Sequence, residues 1–325
     1  TEDVFNYAKE FTMKYFIKRL LRTIPIVIGV TLITFSLIYL SPSDPAHMHF
    51  HQAGSPATEE MLEQFRHEHH LDEPFFIQYQ NWWVSFLKGD LGTSYQDGRP
   101  VSEKIMKSAP YTISIAINSM ILTLLVSIPL GIYCAYHEQS RFSKLIDVIT
   151  QVGISIPTFI IGLLLLYLFT SVFHIFRVLP KDSTGVIMPS LTITLGMSFR
   201  YIKQIQKIAS RELEKDYIKG LRARGVGTVS ILFCTVLQST MVEVITLTAV
   251  SFGSLLSGVA LIETIFNWPG LGKLLVDAVI SKDIPIVQAV VVWLVLAYVF
   301  INLVADILYG IFDPRIRLGG DSHEA

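Results

Sequence analysis

The sequence predicts an all-α integral membrane protein with six transmembrane helices. Three observations carry that expectation. Of 325 residues, 51% are hydrophobic and only 16% charged, against about 25% charged in an ordinary soluble protein. Six stretches read as spans contain no Asp, Glu, Lys or Arg. The Lys and Arg residues between those stretches are shared unequally by alternate connections. This composition excludes a disordered chain, a nucleic-acid binder and a soluble enzyme. The formal net charge of −1 and the mean hydropathy of +0.49 give no polyanion signal.

The uncharged stretches are residues 23–40, 111–136, 148–173, 183–199, 244–262 and 284–305. About 20 apolar residues in a helix cross a hydrocarbon core of roughly 30 Å, so each is read as one span. The fourth is the shortest, rich in Ser and Thr, and interrupted by Pro189. A soluble protein of this size has too little polar sequence to cover six such runs.

Orientation follows from the basic residues. Residues 1–22 carry Lys9, Lys14, Lys18, Arg19 and Arg22, and the connection after the second span carries Arg141 and Lys144. Residues 200–240 carry Arg200, Lys203, Lys207, Arg211, Lys215, Lys219, Arg222 and Arg224, and the tail 306–325 carries Arg315 and Arg317. These seventeen stand against nine on the other side, among them Arg177 and Lys181. Both termini are therefore expected in the cytoplasm, with residues 41–110 a large extracytoplasmic loop and 263–283 an extracytoplasmic turn. Met13 opens a basic stretch, so residues 1–12 are expected to be a dispensable extension, and no cleavable signal pattern is expected at the N-terminus. Cys134 and Cys234 form no C-x-x-C pair, which argues against a disulfide scaffold or a thiolate zinc site. Both fall near the cytoplasmic side.

In the outer loop, Ser55-Pro56 is expected to open a helix, with Glu59 and Glu60 favouring its positive end. Leu62 and Phe65 share its inner face. Pro74 bars continuation, and a second helix is expected over 77–87, ended by Gly89. Its Tyr79, Trp82, Trp83 and Phe86 suit either a membrane interface or a surface for an outside partner. His47, His49, His51, His67, His69 and His70 crowd the same loop. They are candidate ligands for transient metal capture, with His67 and His70 spaced to share a helix face. Solvated polar residues on an acidic loop is the alternative, and H-E-H-H is not the zinc-protease pattern.

Residues 200–227 are basic and helix-prone. Within them, Tyr217, Ile218 and Leu221 make an apolar patch on an otherwise charged helix, and Gly225 is a natural terminator. Such a patch must be buried, either at the bilayer surface or in a groove of a cytosolic protein. Arg222 and Arg224, at about 2.5–3.5 kcal/mol each to insert into lipid, favour an aqueous, protein-facing site.

Asp216-Tyr217-Ile218 followed by Leu221-Arg222-Ala223-Arg224-Gly225 resembles the D-Y-x-x-x-A-R-A-K-G loop of inner-membrane permeases in ATP-binding-cassette (ABC) importers. The likeness is strongest to the dipeptide, oligopeptide and nickel family. Leu71-Asp72-Glu73-Pro74 with Gln78-Tyr79 is similar to its G-L-D-x-P…Q-Y, and Gly89-Asp90-Leu91-Gly92-Thr93-Ser94 to its G-D-L-G-x-S. Glu263-Thr264-Ile265-Phe266-Asn267-Trp268-Pro269-Gly270-Leu271-Gly272 is similar to E-x-I-F-x-W-P-G-L-G. Asp283-Ile284-Pro285-Ile286-Val287-Gln288 is similar to D-Y-P-V-x-Q, and Asp306 through Arg317 to D-x-x-Y…D-P-R-I-R. The order and spacing of these motifs cover nearly the whole chain. The chain departs where the family usually has His, then Leu-Arg-Asn, then Pro. Those positions read Thr235, Leu237-Gln238-Ser239 and Glu243. Glu243 at the mouth of the fifth span is open to snorkelling, to pairing with a base, or to a proton role.

The resemblance implies the ABC importer type I permease fold. It implies a second homologous permease chain, two cytosolic ABC ATPase subunits and an extracytoplasmic solute-binding protein as partners, with no nucleic acid. ATP and Mg would be bound by the ATPase subunits and no cofactor by this chain. Gly270-Leu271-Gly272-Lys273 is not a P-loop, so no enzymatic activity is expected. Asp216, Tyr217, Ile218, Leu221, Arg222, Ala223, Arg224 and Gly225 are the ATPase-coupling candidates. Glu263, Phe266, Trp268, Pro269, Gly270 and Gly272 are read either as an outer-mouth gate or as a structural turn. Asn118, Ser155, Pro157, Ser251, Ser254, Ser257 and Asn302 are pathway or helix-packing candidates. On the histidines, nickel or a nickel chelate leads as the solute, with di- or oligopeptides the alternative. A secondary transporter lacks support, since neither paired intramembrane charges nor an internal repeat is visible.

Overall fold

A computed structural model describes residues 21, 23–42, 44–52, 57–175 and 183–312. The N-terminal basic cluster, the Ser55-Pro56 helix start, Arg177, Lys181 and the Asp313-Pro314-Arg315-Ile316-Arg317 motif lie outside the described residues, as do the side chains of Ser254 and Ser257. The described residues are helical, with one isolated bridge, Thr93 to Pro100, and no strand. They fall into two compact units, the described residues within 21–110 and 269–303, and those within 111–268 and 304–312.

In the first unit, α1 (Thr23–Tyr39) is followed by α2 (Pro45–Gln52), α3 (Glu59–Glu68) and α4 (Phe75–Leu87). The cap of α3 is Thr58, whose hydroxyl accepts the Met61 N–H, so the helix begins at Glu59. Leu62 and Phe65 are buried against Ala46 of α2. The Arg66 guanidinium donates from Nε and Nη2 to one oxygen of Asp44, Oδ2, at 2.9 and 2.7 Å. α4 starts two residues earlier than expected, directly after the extended Pro74, and stops before Gly89 at φ +83°. Its aromatic face lies along α1: Phe35 packs at a tilt against Phe75 and Tyr79, with ring centres 5.0 and 5.7 Å apart. The Tyr79 hydroxyl donates to the Ile28 carbonyl and sits 2.9 Å from the Thr31 hydroxyl. α12 (Leu271–Ser281) buries Leu271 and Ala278 with Val101, Ile105, Ile286 and Val290.

In the second unit the third expected span is bent. Residues 148–173 are not one helix: α6 (Arg141–Ser155) and α7 (Thr158–Leu166, continuing as a π turn over Tyr167–Val172) meet at 100°. Pro157 is the cause. It lacks an N–H and disfavours a helical residue before it, and Ile156 is extended at φ −89°, ψ 122°. Pro189 does the opposite of what was expected. It sits in the first turn of α8 (Ile187–Leu213), where no N–H is needed, and the helix runs uninterrupted past it. α9 (Asp216–Ala223), the short α10 (Thr228–Ser230) with a π turn, and α11 (Leu237–Ile265) follow.

α5 (Val101–Tyr136) and α13 (Ile284–Phe312) are long and apolar enough to cross a membrane alone. Counting each bent helix pair as one span gives up to four among the described residues. α8 is the centre of the second unit. A Cβ on Gly131 of α5 would come within 2.8 Å of Ile205, and one on Gly196 within 2.7 Å of Thr158. These backbones approach as closely as small residues allow.

Candidate functional site

The coupling candidates occupy α9 and its exit. Asp216 opens the helix after an extended Lys215. Gly225 closes it at φ +79° in a Schellman arrangement, its N–H bonded to Arg222 O at 3.0 Å and that of Val226 to Leu221 O at 3.2 Å.

Two of the three residues of the apolar patch, Ile218 and Leu221, are not free for a partner. Ile218 is 0% exposed, and Leu221 packs on the same core, which includes Ile205, Ala209 and Val236. The hydrophobic face that the sequence offers to a foreign groove is used within the chain, because α8 and the π turn before α11 give it closer cover. Apart from the half-exposed Tyr217 ring, what α9 presents outward is polar. The Asp216 side chain is 94% exposed and accepts from Lys219 Nζ at 2.8 Å. Arg222, Ala223, Arg224 and Gly225 are also exposed, with the Arg222 guanidinium 5.6 Å from the centre of the Tyr136 ring.

Beneath α9 lies a group that sequence reasoning missed. Glu212, buried at the end of α8, accepts from the Tyr217 hydroxyl at 2.5 Å and pairs with Lys215 Nζ at 2.6 Å. Ser239 is 3.3 Å from the same hydroxyl. Burial pushes the Glu212 carboxyl up, but Lys215 and Tyr217 outweigh it and hold the pKa below the usual carboxylate value. Tyr217 therefore stays 42% exposed while its hydroxyl is held by Glu212. Glu212 and Tyr217 are five residues apart across a helix break, a spacing no helical pattern marks. Glu243 pairs with Arg211 at 3.0 Å, the base-pairing alternative among its three readings.

At the elbow, Glu263 is fully buried and accepts from the Thr112 hydroxyl at 2.6 Å. The Trp268 indole N–H donates to Tyr111 O at 3.0 Å, and Phe266 is buried beside it in the core. Asn267 takes a left-handed φ of +48°. In the first unit, Pro269 is exposed, Gly270 caps α12 in extended form and Gly272 is buried. Two motifs meet there: Asp283, 0% exposed, accepts from Ser94 Oγ at 2.5 Å and from the Tyr95 N–H at 3.2 Å. Lys104 Nζ donates to the same Ser94 hydroxyl at 2.9 Å.

The histidines do not converge. Among the described residues no group of three or more His, Cys, Asp or Glu is placed to hold a metal ion. His67 and His70 do not share a helix face, because α3 ends at Glu68 and His70 turns left-handed at φ +55° to meet Glu73 at 3.1 Å. His49 and His69 instead pack on Phe65, at 4.8 and 4.3 Å, and burial lowers the His69 pKa. His47, His51 and His67 are exposed. Asn118, Ser155 and Asn302 bond back to carbonyls of their own helices. Ser251 instead lines a cavity with Arg200 and Tyr201.

Residues 127–318 match the model of the binding-protein-dependent transport system inner membrane component, and residues 12–116 match that of its N-terminal region. The chain belongs to this family. It is an ABC importer inner-membrane permease of the peptide and nickel branch, a multi-pass membrane protein and a transport component rather than an enzyme. It is 34% identical over 306 residues to the glutathione transport system permease protein GsiC of Salmonella typhimurium, covering 94% of this chain and 99% of that one. A probable peptide ABC transporter permease protein, y4tP of Sinorhizobium fredii, is 33% identical over 93% of this chain and 99% of its own length. The nickel import system permease protein NikB of Staphylococcus aureus is 32% identical over 95% and 93%. An inward-facing structure of the MetNI methionine ABC transporter superposes with a TM-score of 0.57 at 15% identity. It covers 64% of this chain and 96% of that one, and so shares the permease fold.

Proposed function

We propose that this permease forms half of a solute pathway, with six crossings made by α1, α5, α6–α7, α8, α11 and α13 and both termini in the cytoplasm. A second homologous permease chain supplies the other half. Two cytosolic ATPase subunits bind and split ATP with Mg, and an extracytoplasmic binding protein delivers the solute. The observation that carries this reading is the outward face of α9. Its Asp216, Lys219, Arg222, Ala223, Arg224 and Gly225 are exposed while Ile218 and Leu221 root it in the core. A polar face on a rooted helix suits a groove in an ATPase subunit, where closure of the ATPase pair moves the helix as a rigid body. Glu263, Phe266 and Trp268 serve as the fixed outer end of α11.

On the solute, the nickel reading rests on the histidines, and among the described residues they form no ligand set. A small peptide is the reading favoured here, with a nickel chelate second. Gly225→Asp is expected to abolish uptake while the binding protein still captures solute, and a cysteine at Lys219 is expected to cross-link to the ATPase subunit. Normal uptake by Gly225→Asp would remove the coupling role of α9.

A further inference from the structure

A cavity of about 280 Å³ lies among α7, α8 and α11 in the second unit. Phe159, Ile193, Leu255, Val259 and Ile262 make its wall apolar. Its polar groups are few. The Tyr201 hydroxyl is taken by Leu247 O at 3.3 Å. Thr158 and Ser251 are neutral, and no acidic, histidine or cysteine side chain lines it. Arg200 supplies the charge.

Arg200 differs from its neighbours on α8. Lys203 reaches Asp147 at 2.6 Å and Arg211 reaches Glu243 at 3.0 Å. No carboxylate or carbonyl among the described residues bonds the Arg200 guanidinium. It follows directly on the uncharged run 183–199, where a cation facing hydrocarbon is costly. A guanidinium is a planar fork matched to a carboxylate. An apolar wall with one convergent charged group is the usual make-up of a small-molecule site.

We infer that this cavity is a solute site within the permease, in which Arg200 holds a carboxylate of the passing solute and the apolar wall takes its body. This rests on the permease reading and narrows it. A bare divalent cation finds no ligand here and meets a positive charge. A peptide, or a metal chelate presenting a free carboxylate, fits.

The test uses the complete complex, with both permease chains, the ATPase subunits and the binding protein, reconstituted in liposomes. ATP-driven uptake is measured for radiolabelled trialanine, its C-terminal amide and Ni²⁺ alone, in the native complex and in Arg200→Gln and Arg200→Lys. The acid-to-amide ratio is read in the same vesicles, so a loss of assembled complex cancels. The native ratio is expected to be tenfold or more, falling to within twofold of unity in Arg200→Gln and recovering most of its value in Arg200→Lys. If acid and amide fall together in Arg200→Gln, the guanidinium serves a lipid phosphate or the fold, and the inference is overturned. ATP-driven uptake of Ni²⁺ alone by the native complex, which is expected to be absent, overturns it as well. A native complex whose ATP hydrolysis is not stimulated by solute-loaded binding protein overturns the permease reading itself, and this inference with it.

Discussion

Replacing Tyr217 by Phe isolates the bond that fixes α9. The change removes one hydroxyl donor from the Glu212 carboxylate, 2.5 Å away, and leaves the ring in place. A hydrogen bond onto a charged group contributes about 1.5–3 kcal/mol net. Lys215 still reaches the other carboxylate oxygen at 2.6 Å, so Glu212 keeps a partner and the lower end applies. About 1.5 kcal/mol is roughly a tenfold change in an equilibrium constant. Amide hydrogen exchange across residues 216–223 is therefore expected to speed up about tenfold in the assembled complex, with the exchange of α5 unaltered. Uptake per ATP hydrolysed should fall in parallel. Ile218→Ala, which empties a fully buried site, should have a larger effect, about 2–5 kcal/mol. Unchanged exchange in Tyr217→Phe would refute the anchoring role. So would losses that simply add in Tyr217→Phe/Glu212→Gln, since groups sharing one bond are not independent. The pH dependence has a definite sign. The Glu212 pKa is depressed in the folded protein, so its contribution is complete above the ordinary carboxylate pKa of about 4.3. It is lost only as the pH falls through the lower folded value, and α9 stays anchored at neutral pH.

Three further outcomes are expected. Gly131→Ala puts a Cβ within 2.8 Å of Ile205 Cβ and should cost about 1–3 kcal/mol, read as a lower thermal midpoint of the detergent-solubilised protein. Gly225→Ala meets no neighbour within 4 Å but must hold φ +79°, a backbone penalty of about 1–2 kcal/mol, visible as faster exchange in the last turn of α9. Burial lowers the folded pKa of His69, so below about pH 6.5 the unfolded form takes up the proton first and stability falls. Limited proteolysis between α2 and α3 should accelerate from pH 7.5 to pH 5, and His69→Phe should remove that dependence.

Helix content and family were legible because both rest on local sequence. Uncharged runs mark where helices bury apolar surface, and Gly89 and Gly225 end their helices as their positive φ requires. Charge counting does not reveal the bend at Pro157, where an uncharged run contains a backbone break. Hydropathy ignores the missing N–H and the constraint on Ile156 that bend the chain by 100°. At α9, amphipathic spacing identified the buried face but not what buries it, since Ile205 and Val236 come from elsewhere in the chain. Six histidines in one loop suggested a shared site, but shared sites require convergence, and His49 and His69 turn to Phe65 instead. Glu212 and the Asp283–Ser94 bond were invisible for the same reason: each depends on residues brought together by folding, the second over 189 positions.

α8 ties the two proposed sites to one mechanical element. Arg200 lines the cavity and Glu212 anchors α9, and both are on the same helix. Between them lie no Pro and no Gly, the usual causes of a kink. Twelve residues of unbroken helix are about 18 Å long. A displacement imposed on α9 therefore reaches the Arg200 guanidinium without passing a hinge, provided the Glu212–Tyr217 bond holds. In that arrangement loosening α9 and neutralising Arg200 differ in kind. Tyr217→Phe should lower uptake of trialanine and its amide by the same factor, because it weakens the transmission and not the grip. Arg200→Gln should change their ratio. A Tyr217→Phe complex that also altered the acid-to-amide ratio would mean that α9 shapes the cavity directly, and the separation of grip from drive along α8 would be wrong.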